Sequence, residues 1–128
     1  MGNAEKAMNQ ACQATGASIK DYTAGPSFME GNKSGAHEWL IEFTTPPSSL
    51  TAFREALDGS LRELNSDYDA KRHKDLVLRM PIVHMMSGDT FHNWLKSKGK
   101  LGGQNKIPRL SNDRKLIEEI LFFQRSKA

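Results

Sequence analysis

Residues 37–43 read HEWLIEF, and the alternation in this stretch decides the fold that the sequence predicts. A tryptophan, an isoleucine and a phenylalanine fall at every second position, which is typical of a half-buried strand with one apolar face. Strand-forming residues also occupy 17–27, where Gly25-Pro26 is expected to break or bulge the strand. A glycine-rich loop at 31–35 separates the two segments, so the sequence predicts an antiparallel hairpin.

Helical patterns lie on both sides of this hairpin. Small apolar residues three and four apart predict a short helix over 4–14, with Asn3 as its N-cap. The strongest pattern predicts a helix over about 48–64, capped by a serine. Its apolar positions are Leu50, Phe53, Leu57, Leu61 and Leu64. The polar stretch 65–74 predicts at most a short helical turn.

The C-terminal half predicts one more strand and two more helices. Residues 76–86 are rich in strand formers, and Pro81 predicts a bulge or an edge position there. Asp89 or Thr90 is expected to cap the next helix, and Ser111 to cap the last one.

Together these elements predict a single α+β domain over residues 1–128. The expected sheet is small and mostly antiparallel, with about three strands. The third strand lies beside the hairpin, and the helices pack on one face of the sheet. A chain of this length is long enough to bury a hydrophobic core.

Composition narrows the class of protein. Eighteen basic and fifteen acidic residues give a net charge of only +3, which is too small to imply nucleic-acid binding by itself. The single cysteine, Cys12, cannot form an internal disulfide, and this agrees with a reducing compartment. No apolar run approaches the length of a membrane span, and the N-terminus lacks a signal-peptide pattern. We therefore expect a cytoplasmic protein with no membrane partner.

The least ordinary stretch is the basic loop, residues 96–109, which reads KSKGKLGGQNKIPR. Gly102 and Gly103 permit positive φ and a close backbone approach. Pro108 fixes its own φ and biases the preceding residue toward an extended conformation, which places Lys106 at the mouth of a stiff segment. The stretch is either a solvated connector between two helices or a loop that brings one cation to a negatively charged substrate.

A resemblance favours the second reading. Residues 102–109, GGQNKIPR, resemble the Gln-Tyr-Lys-Val/Ile-Pro-Arg stretch of the auxin-responsive-promoter family of acyl-acid–amido synthetases, which belong to the adenylate-forming, luciferase-like superfamily. The resemblance extends from about Ala14 to Leu121. It includes Leu64-Asn65, Tyr68, Arg72 and the run Gly88-Asp89-Thr90-Phe91, where the family has a Gly-Thr-Phe element that opens a helix. Asn105 departs from the tyrosine of many plant members.

The resemblance implies a domain of a larger enzyme. In that family a small, mobile C-terminal lid domain is joined to a large N-terminal adenylation domain, and this chain resembles the lid of a bacterial member. The parent reaction uses ATP and Mg²⁺ to activate a carboxylic acid as an acyl-adenylate, then transfers the acyl group to an amine or amino acid. Both cofactors are expected to bind mainly outside this chain. The isolated domain is expected to hold none and to be inactive.

The resemblance also implies roles for individual residues. Lys106 matches a lysine that enters the active site, where a positioned ammonium stabilises the negative charge that builds up during adenylation. Arg109, Gly102, Gly103 and Gln104 are weaker candidates for binding substrate or phosphate, and Arg109 could instead pin the loop. Apolar area around this loop, at Ile107 and Leu110, is expected to face the large domain.

One alternative is a free-standing interaction module that binds nucleic acid or an anionic metabolite through residues 96–109. The aromatic side chains Trp39, Phe43, Phe53 and Trp94 argue against nucleic acid, because their spacing is that of a core rather than an exposed stacking platform. Neither the four histidines nor the cysteine has the spacing of metal ligands, so no metal site is expected.

Overall fold

The computed structural model describes residues 3–27, 35–73, 78–99, 107, 109–111 and 113–127 of the chain. Helices and strands alternate irregularly along this part of the sequence. In chain order they are α1 Asn3–Thr15, β1 Ser18–Ser27, β2 Ala36–Thr45, α2 Leu50–Leu64, α3 Ser66–Arg72, β3 Ile82–Met85, α4 Thr90–Ser97 and α5 Lys115–Lys127. Among the helices described, none is long and apolar enough to cross a membrane.

The three strands form one mixed sheet in the order β1-β2-β3. β1 pairs with β2 in antiparallel register from Ser18↔Thr45 to Ser27↔Ala36, which confirms the predicted hairpin. β3 pairs with the other edge of β2 in parallel, because α2 and α3 form a crossover between these two strands. The α+β class is therefore confirmed, with one antiparallel and one parallel strand pair.

Helices cover both faces of the sheet, so the prediction that they pack on one face was wrong. On one face, Trp39 and Ile41 pack with α1 and α2 in the larger of two hydrophobic clusters. On the other face, Leu40 packs with Phe91 and Trp94 of α4 and with residues of α5. β2 is the central strand, and it buries side chains of both alternating sets, as strands covered on both faces do.

The irregularity of β1 lies at the opposite end from the predicted one. Pairing with β2 continues without a shift through Gly25-Pro26, and the register shifts instead between Ser18 and Asp21. Pro26 is tolerated because β1 is an edge strand. Glycine is favoured at position 25 for another reason, since a Cβ atom there would lie 2.7 Å from Cδ1 of Ile117 on α5 and would force a shift in the packing.

Local contacts explain where the helices begin. The Ser49 hydroxyl accepts a hydrogen bond from the Ala52 amide at 3.2 Å and caps α2, as expected of a serine at this end. The last helix begins at Lys115, so the prediction that Ser111 caps it was wrong. The Ser111 amide donates to the Ala24 carbonyl at 2.9 Å, which places this residue at the edge of the sheet.

A buried ion pair fastens α3 to α2. Arg72 approaches the Asp58 carboxylate with two nitrogens, Nε at 2.6 Å and Nη2 at 2.8 Å, and the Tyr68 hydroxyl donates to the same carboxylate at 2.7 Å. Burial alone would raise the pKa of Asp58, but the hydrogen bonds and charge of Arg72 outweigh it and hold this pKa below its ordinary value. The stretch that was predicted to form at most a helical turn thus contains the short helix α3, and the ion pair with Asp58 holds this helix against α2.

Candidate functional site

The structure describes only part of the predicted site. Lys106, Gly102, Gly103 and Gln104 lie outside the described residues, so their roles stay predictions. Arg109 is described. The candidate site is therefore built from the described segments on either side of residues 100–106, which are α4 before them and the chain from Ile107 onward.

Arg109 is held against β1 by its side chain. Its guanidinium forms an ion pair with Asp21 and donates from Nη1 to the carbonyl of Tyr22 at 3.2 Å. The guanidinium carbon also lies 4.5 Å from the centre of the Tyr22 ring, which is a cation–π arrangement. These contacts fasten residue 109 to the sheet, whereas binding of phosphate by Arg109 stays a prediction.

The backbone of the same segment joins the outer edge of β1. The Ala24 amide donates to the Arg109 carbonyl at 2.9 Å, and the Ser111 amide donates to the Ala24 carbonyl at the same distance. Leu110 thereby forms a parallel bridge with Ala24. The described chain that follows the basic loop is thus fixed to the sheet by main chain as well as side chain.

The two apolar residues expected to face a partner behave differently. Leu110 is 62% exposed, as expected. The prediction was wrong for Ile107, which is 5% exposed and packs in the cluster formed by Leu40, α4 and α5. Ile107 is therefore a core residue on the face of the sheet that α4 and α5 cover.

The start of α4 is held from neighbouring strands. Asp89 occupies the N-cap position that was predicted for it, but it has a φ of 64° and its side chain makes no capping hydrogen bond. The Asp89 carboxylate instead pairs with Lys20 of β1. Glu42 of β2 takes over the capping role, because its Oε1 accepts a hydrogen bond from the Phe91 amide at 3.3 Å.

The contacts made by Lys20 and Asp21 lie at the irregularity in β1. Consecutive side chains of a regular strand point to opposite faces, whereas a bulge changes their directions. At the register shift, Lys20 reaches Asp89 before α4, and Asp21 reaches Arg109 at the end of the basic loop. One edge strand therefore contacts both flanks of the loop. We call the five side chains that hold the start of α4 and residue 109 the loop frame: Lys20, Asp21, Glu42, Asp89 and Arg109.

The charges in the loop frame differ in their surroundings. Lys20 and Asp89 are exposed, and their mutual hydrogen bond raises the pKa of Lys20 and lowers the pKa of Asp89. Glu42 is only 2% exposed. Its burial raises the pKa of the carboxyl above the ordinary value, against the opposing effects of the Phe91 amide and the Lys20 charge.

Sequence reasoning missed the buried carboxylates of β2. Glu38 lies on the same face as Glu42 and is held by Arg114 Nη1 at 2.6 Å and by His84 Nε2 at 2.6 Å. Arg114 also donates to the Pro26 carbonyl at 2.9 Å, so it ties the start of α5 to the hairpin. A signal was present in the sequence, because Phe91 and Trp94, and likewise Ile117 and Ile120, recur at helical spacing, and these residues pack on the second face of the sheet.

On the other face, an open cleft of about 320 Å³ lies between the hairpin and the segment after the basic loop. Its lining is mainly apolar and consists of Ala24, Gly25, Pro26, His37, Trp39, Leu110 and Ser111. The indole Nε1 of Trp39 is buried and has no hydrogen-bond partner among the described residues. The exposed side chain of Leu110 makes this cleft a surface that an apolar group can cover.

Comparisons with known proteins agree with this fold. The model of the GH3 family C-terminal domain matches residues 2–115. A solved structure of the "GH3.15 acyl acid amido synthetase" matches with a TM-score of 0.70 and 17% identity, over 97% of this chain and 23% of that chain. A second, of "AtGH3.15 acyl acid amido synthetase in complex with 2,4-DB", matches with a TM-score of 0.71 and 16% identity over the same shares.

The solved structures that match are of much longer chains. The chain spans about 23% of the length of the solved structures that it matches. At such low identity, the likeness to those structures shows the fold alone. No curated protein matches the sequence. The family model, however, covers most of the chain and confirms the family that the GGQNKIPR stretch indicated. The chain belongs to the GH3 family and carries its C-terminal domain.

Proposed function

We propose that this domain is the mobile C-terminal lid of an ATP-dependent acyl-acid–amido synthetase. The enzyme would adenylate a carboxylic acid and then transfer the acyl group to an amine or amino acid. The observation that carries this proposal is the match to the family's C-terminal domain over residues 2–115, together with a fold shared with part of much longer synthetases. The lid would serve the two half-reactions in two orientations relative to the large domain.

Lys106 is the residue that we propose to enter the active site. Adenylation places negative charge on the α-phosphate and the carboxylate, and a lysine ammonium is a compact charge on a long stem that can reach across a domain interface. The next residue along the chain, Ile107, is buried. An anchored neighbour supports the proposal, because catalysis by a single charge depends on accurate placement.

The remaining predicted residues would act around Lys106. Gly102 and Gly103 would allow the backbone to approach the substrate closely, and Gln104 would contact substrate or phosphate. Arg109 would bind phosphate only by leaving or sharing its contact with Asp21, so we assign it first to fastening the loop.

The proposal places the main contacts to ATP and Mg²⁺ in the large N-terminal domain. Within the described ranges, no three His, Cys, Asp or Glu side chains come together in an arrangement that could hold a metal ion. The large domain is also the partner that we propose for Leu110 and the cleft beside it.

Exchange of pyrophosphate with ATP tests the proposal. The full-length protein that carries this domain should catalyse exchange with at least one member of a panel of carboxylic acids. The isolated 128-residue chain should not, because a single loop lysine cannot hold Mg-ATP. Robust exchange by the isolated chain would overturn the lid assignment. Strongly salt-dependent binding of random DNA or RNA would favour the nucleic-acid alternative instead.

A further inference from the structure

Glu42 is a buried carboxylate at the centre of the molecule. It lies on the central strand β2 and is 2% exposed. The described hydrogen bonds to its carboxylate come from backbone amides at the start of α4, with Phe91 at 3.3 Å. A negative charge at this place meets the positive end of the helix dipole and satisfies amides that have no partner within the helix.

The local sequence of α4 does not provide this cap. The Asp89 side chain is paired with Lys20 and makes no capping hydrogen bond. The start of α4 therefore depends on a carboxylate that lies 49 positions earlier in the chain. Removal of the Glu42 charge would weaken the helix start although no residue of α4 changes.

Burial disfavours the charged form of the Glu42 carboxyl. Its pKa is raised above the ordinary value of 4.5 in the folded chain. The stabilising contribution of such a group is complete below its unfolded pKa and is lost as the pH rises through its folded pKa, so at neutral pH the charged form lowers the free energy of unfolding. A neutral residue of the same shape would avoid this cost. Buried charged groups that lower the free energy of unfolding are typical of functional positions.

The position of α4 determines where the basic loop starts. Phe91 and Trp94 of α4 pack in one cluster with Leu40 of β2 and with Ile107, the first described residue after residues 100–106. α4, before this segment, and Ile107, after it, thus contribute side chains to one cluster, which contains Leu40 of the central strand. A shift at the start of α4 would move this cluster.

We propose that Glu42 is a positioning residue that holds α4 and Ile107 in the arrangement from which Lys106 acts. The role of Lys106 rests on the proposed function, whereas the effect of Glu42 on α4 can be measured without it.

Hydrogen exchange on the 128-residue chain tests the effect on α4. Glu42→Gln keeps the shape and one acceptor oxygen but removes the charge. We expect the Phe91 amide and its neighbours in α4 to exchange about fivefold to thirtyfold faster than in the wild type. Amides of α2 should not exchange faster, and the Tm at pH 7 should be equal or higher. Local loosening without a loss of global stability is a result that a merely structural role would not give.

Asp89→Asn is the matched control, because it removes an exposed negative charge at the same end of α4. We expect it to change exchange of the Phe91 amide by less than about twofold. An equal effect of both variants would show that any nearby negative charge suffices and would overturn the inference. Unchanged exchange in Glu42→Gln, or a uniform rise across α2 and α4, would overturn it as well.

A double-mutant cycle in the full-length synthetase tests the link to Lys106. Glu42→Gln should lower kcat for the half-reaction that uses Lys106 by about tenfold to a hundredfold, with the KM for ATP unchanged. In a Lys106→Ala background it should lower kcat by less than about twofold, because residues that act as a unit are not additive. Equal factors in both backgrounds would overturn the positioning role. If Lys106→Ala alone had no effect, the proposed function would fail, and the exchange experiment would decide the role of Glu42 on α4.

Discussion

Among single residues, Lys106 allows the sharpest test of the proposed function. Lys106→Ala in the full-length synthetase should lower turnover by about a hundredfold or more, as is common when one positioned charge is lost from a transition state. Its folding stability should change by less than about half a kcal/mol, since a loop lysine leaves no cavity in the core. Steady-state rates of each half-reaction and thermal unfolding measure the two effects.

Two further variants separate charge from position. Lys106→Arg should not restore the full rate, because a planar guanidinium replaces a compact ammonium. Lys98→Ala removes a lysine from the end of α4, where the ammonium lies 5.9 Å from the Trp94 ring centre, and should change the rates little. Near-wild-type rates for both Lys106→Ala and Lys98→Ala would make the basic loop a connector only.

The buried carboxylates predict how stability depends on pH. Asp58 and Glu38 have pKa values below their ordinary values of 3.8 and 4.5, because paired cations outweigh the effect of burial. A lowered folded pKa contributes stability above the unfolded pKa, and this contribution is lost as the pH falls through the folded pKa. Thermal unfolding between pH 7 and acid should therefore show a falling Tm below about pH 4.5.

Asp58→Asn isolates one of these groups. It removes the negative charge to which Arg72 and Tyr68 donate their hydrogen bonds, which should lower the free energy of unfolding by about 1–3 kcal/mol at neutral pH. The variant should also lose less stability than the wild type between neutral and acidic pH. Parallel curves for the two proteins would show that Asp58 contributes nothing to the acid sensitivity.

Single-residue roles divide into those that sequence could predict and those that it could not. The GGQNKIPR motif is local, so residues 102–109 could be singled out from the sequence alone. The loop frame could not, because Asp21 and Arg109 are 88 positions apart and Lys20 and Asp89 are 69 apart. The positive φ of Asp89 and the shift of capping to Glu42 also depend on these distant contacts.

Among the elements, two glycines should respond in opposite ways to substitution by alanine. Gly25 of β1 lies against α5, whereas Gly59 of α2 faces open space. Gly25→Ala would place a Cβ 2.7 Å from Ile117 Cδ1 and 3.2 Å from the Asp113 carbonyl oxygen. Such overpacking should lower the free energy of unfolding by about 1–3 kcal/mol. Gly59→Ala, inside α2 with no atom within 4 Å of the added Cβ, should raise it by about 0.4–1 kcal/mol. Chemical denaturation of both variants is the measurement, and a stabilising Gly25→Ala would contradict the close packing.

Element prediction succeeded where the pattern is periodic and local. The helix predicted over about 48–64 is α2, because its leucines and phenylalanine recur at helical spacing and Ser49 caps it. The start of α5 was misplaced, since nothing in the sequence shows that the Ser111 amide pairs with β1. The site of the β1 irregularity was also wrong, because Gly25 serves close packing rather than a bulge.

For the whole molecule, the two-sided sheet is the feature that sequence patterns understated. The residues of HEWLIEF that alternate with the apolar set include two glutamates, which favoured a water-facing side. The structure buries both of them under α4 and α5 with polar partners. Periodicity shows only which positions are polar. It could not predict that the two glutamates are buried, because their polar partners come from elements distant in the sequence.

The exposed side chain of Leu110 predicts where the domain docks on the large N-terminal domain that we propose as its partner. Leu110 is 62% exposed and lines the cleft of about 320 Å³ beside the segment that follows the basic loop. Burial of this area would favour the orientation in which Lys106 enters the active site, because apolar surface would leave water. In the full-length synthetase, an acyl-adenylate analogue should therefore slow hydrogen exchange of the backbone amides at 109–111. Met85, 49% exposed on β3, serves as the reference, and its amide should not change. Equal exchange at 109–111 with and without the analogue would place the docking surface elsewhere, since a domain that closes over this cleft must exclude water from it.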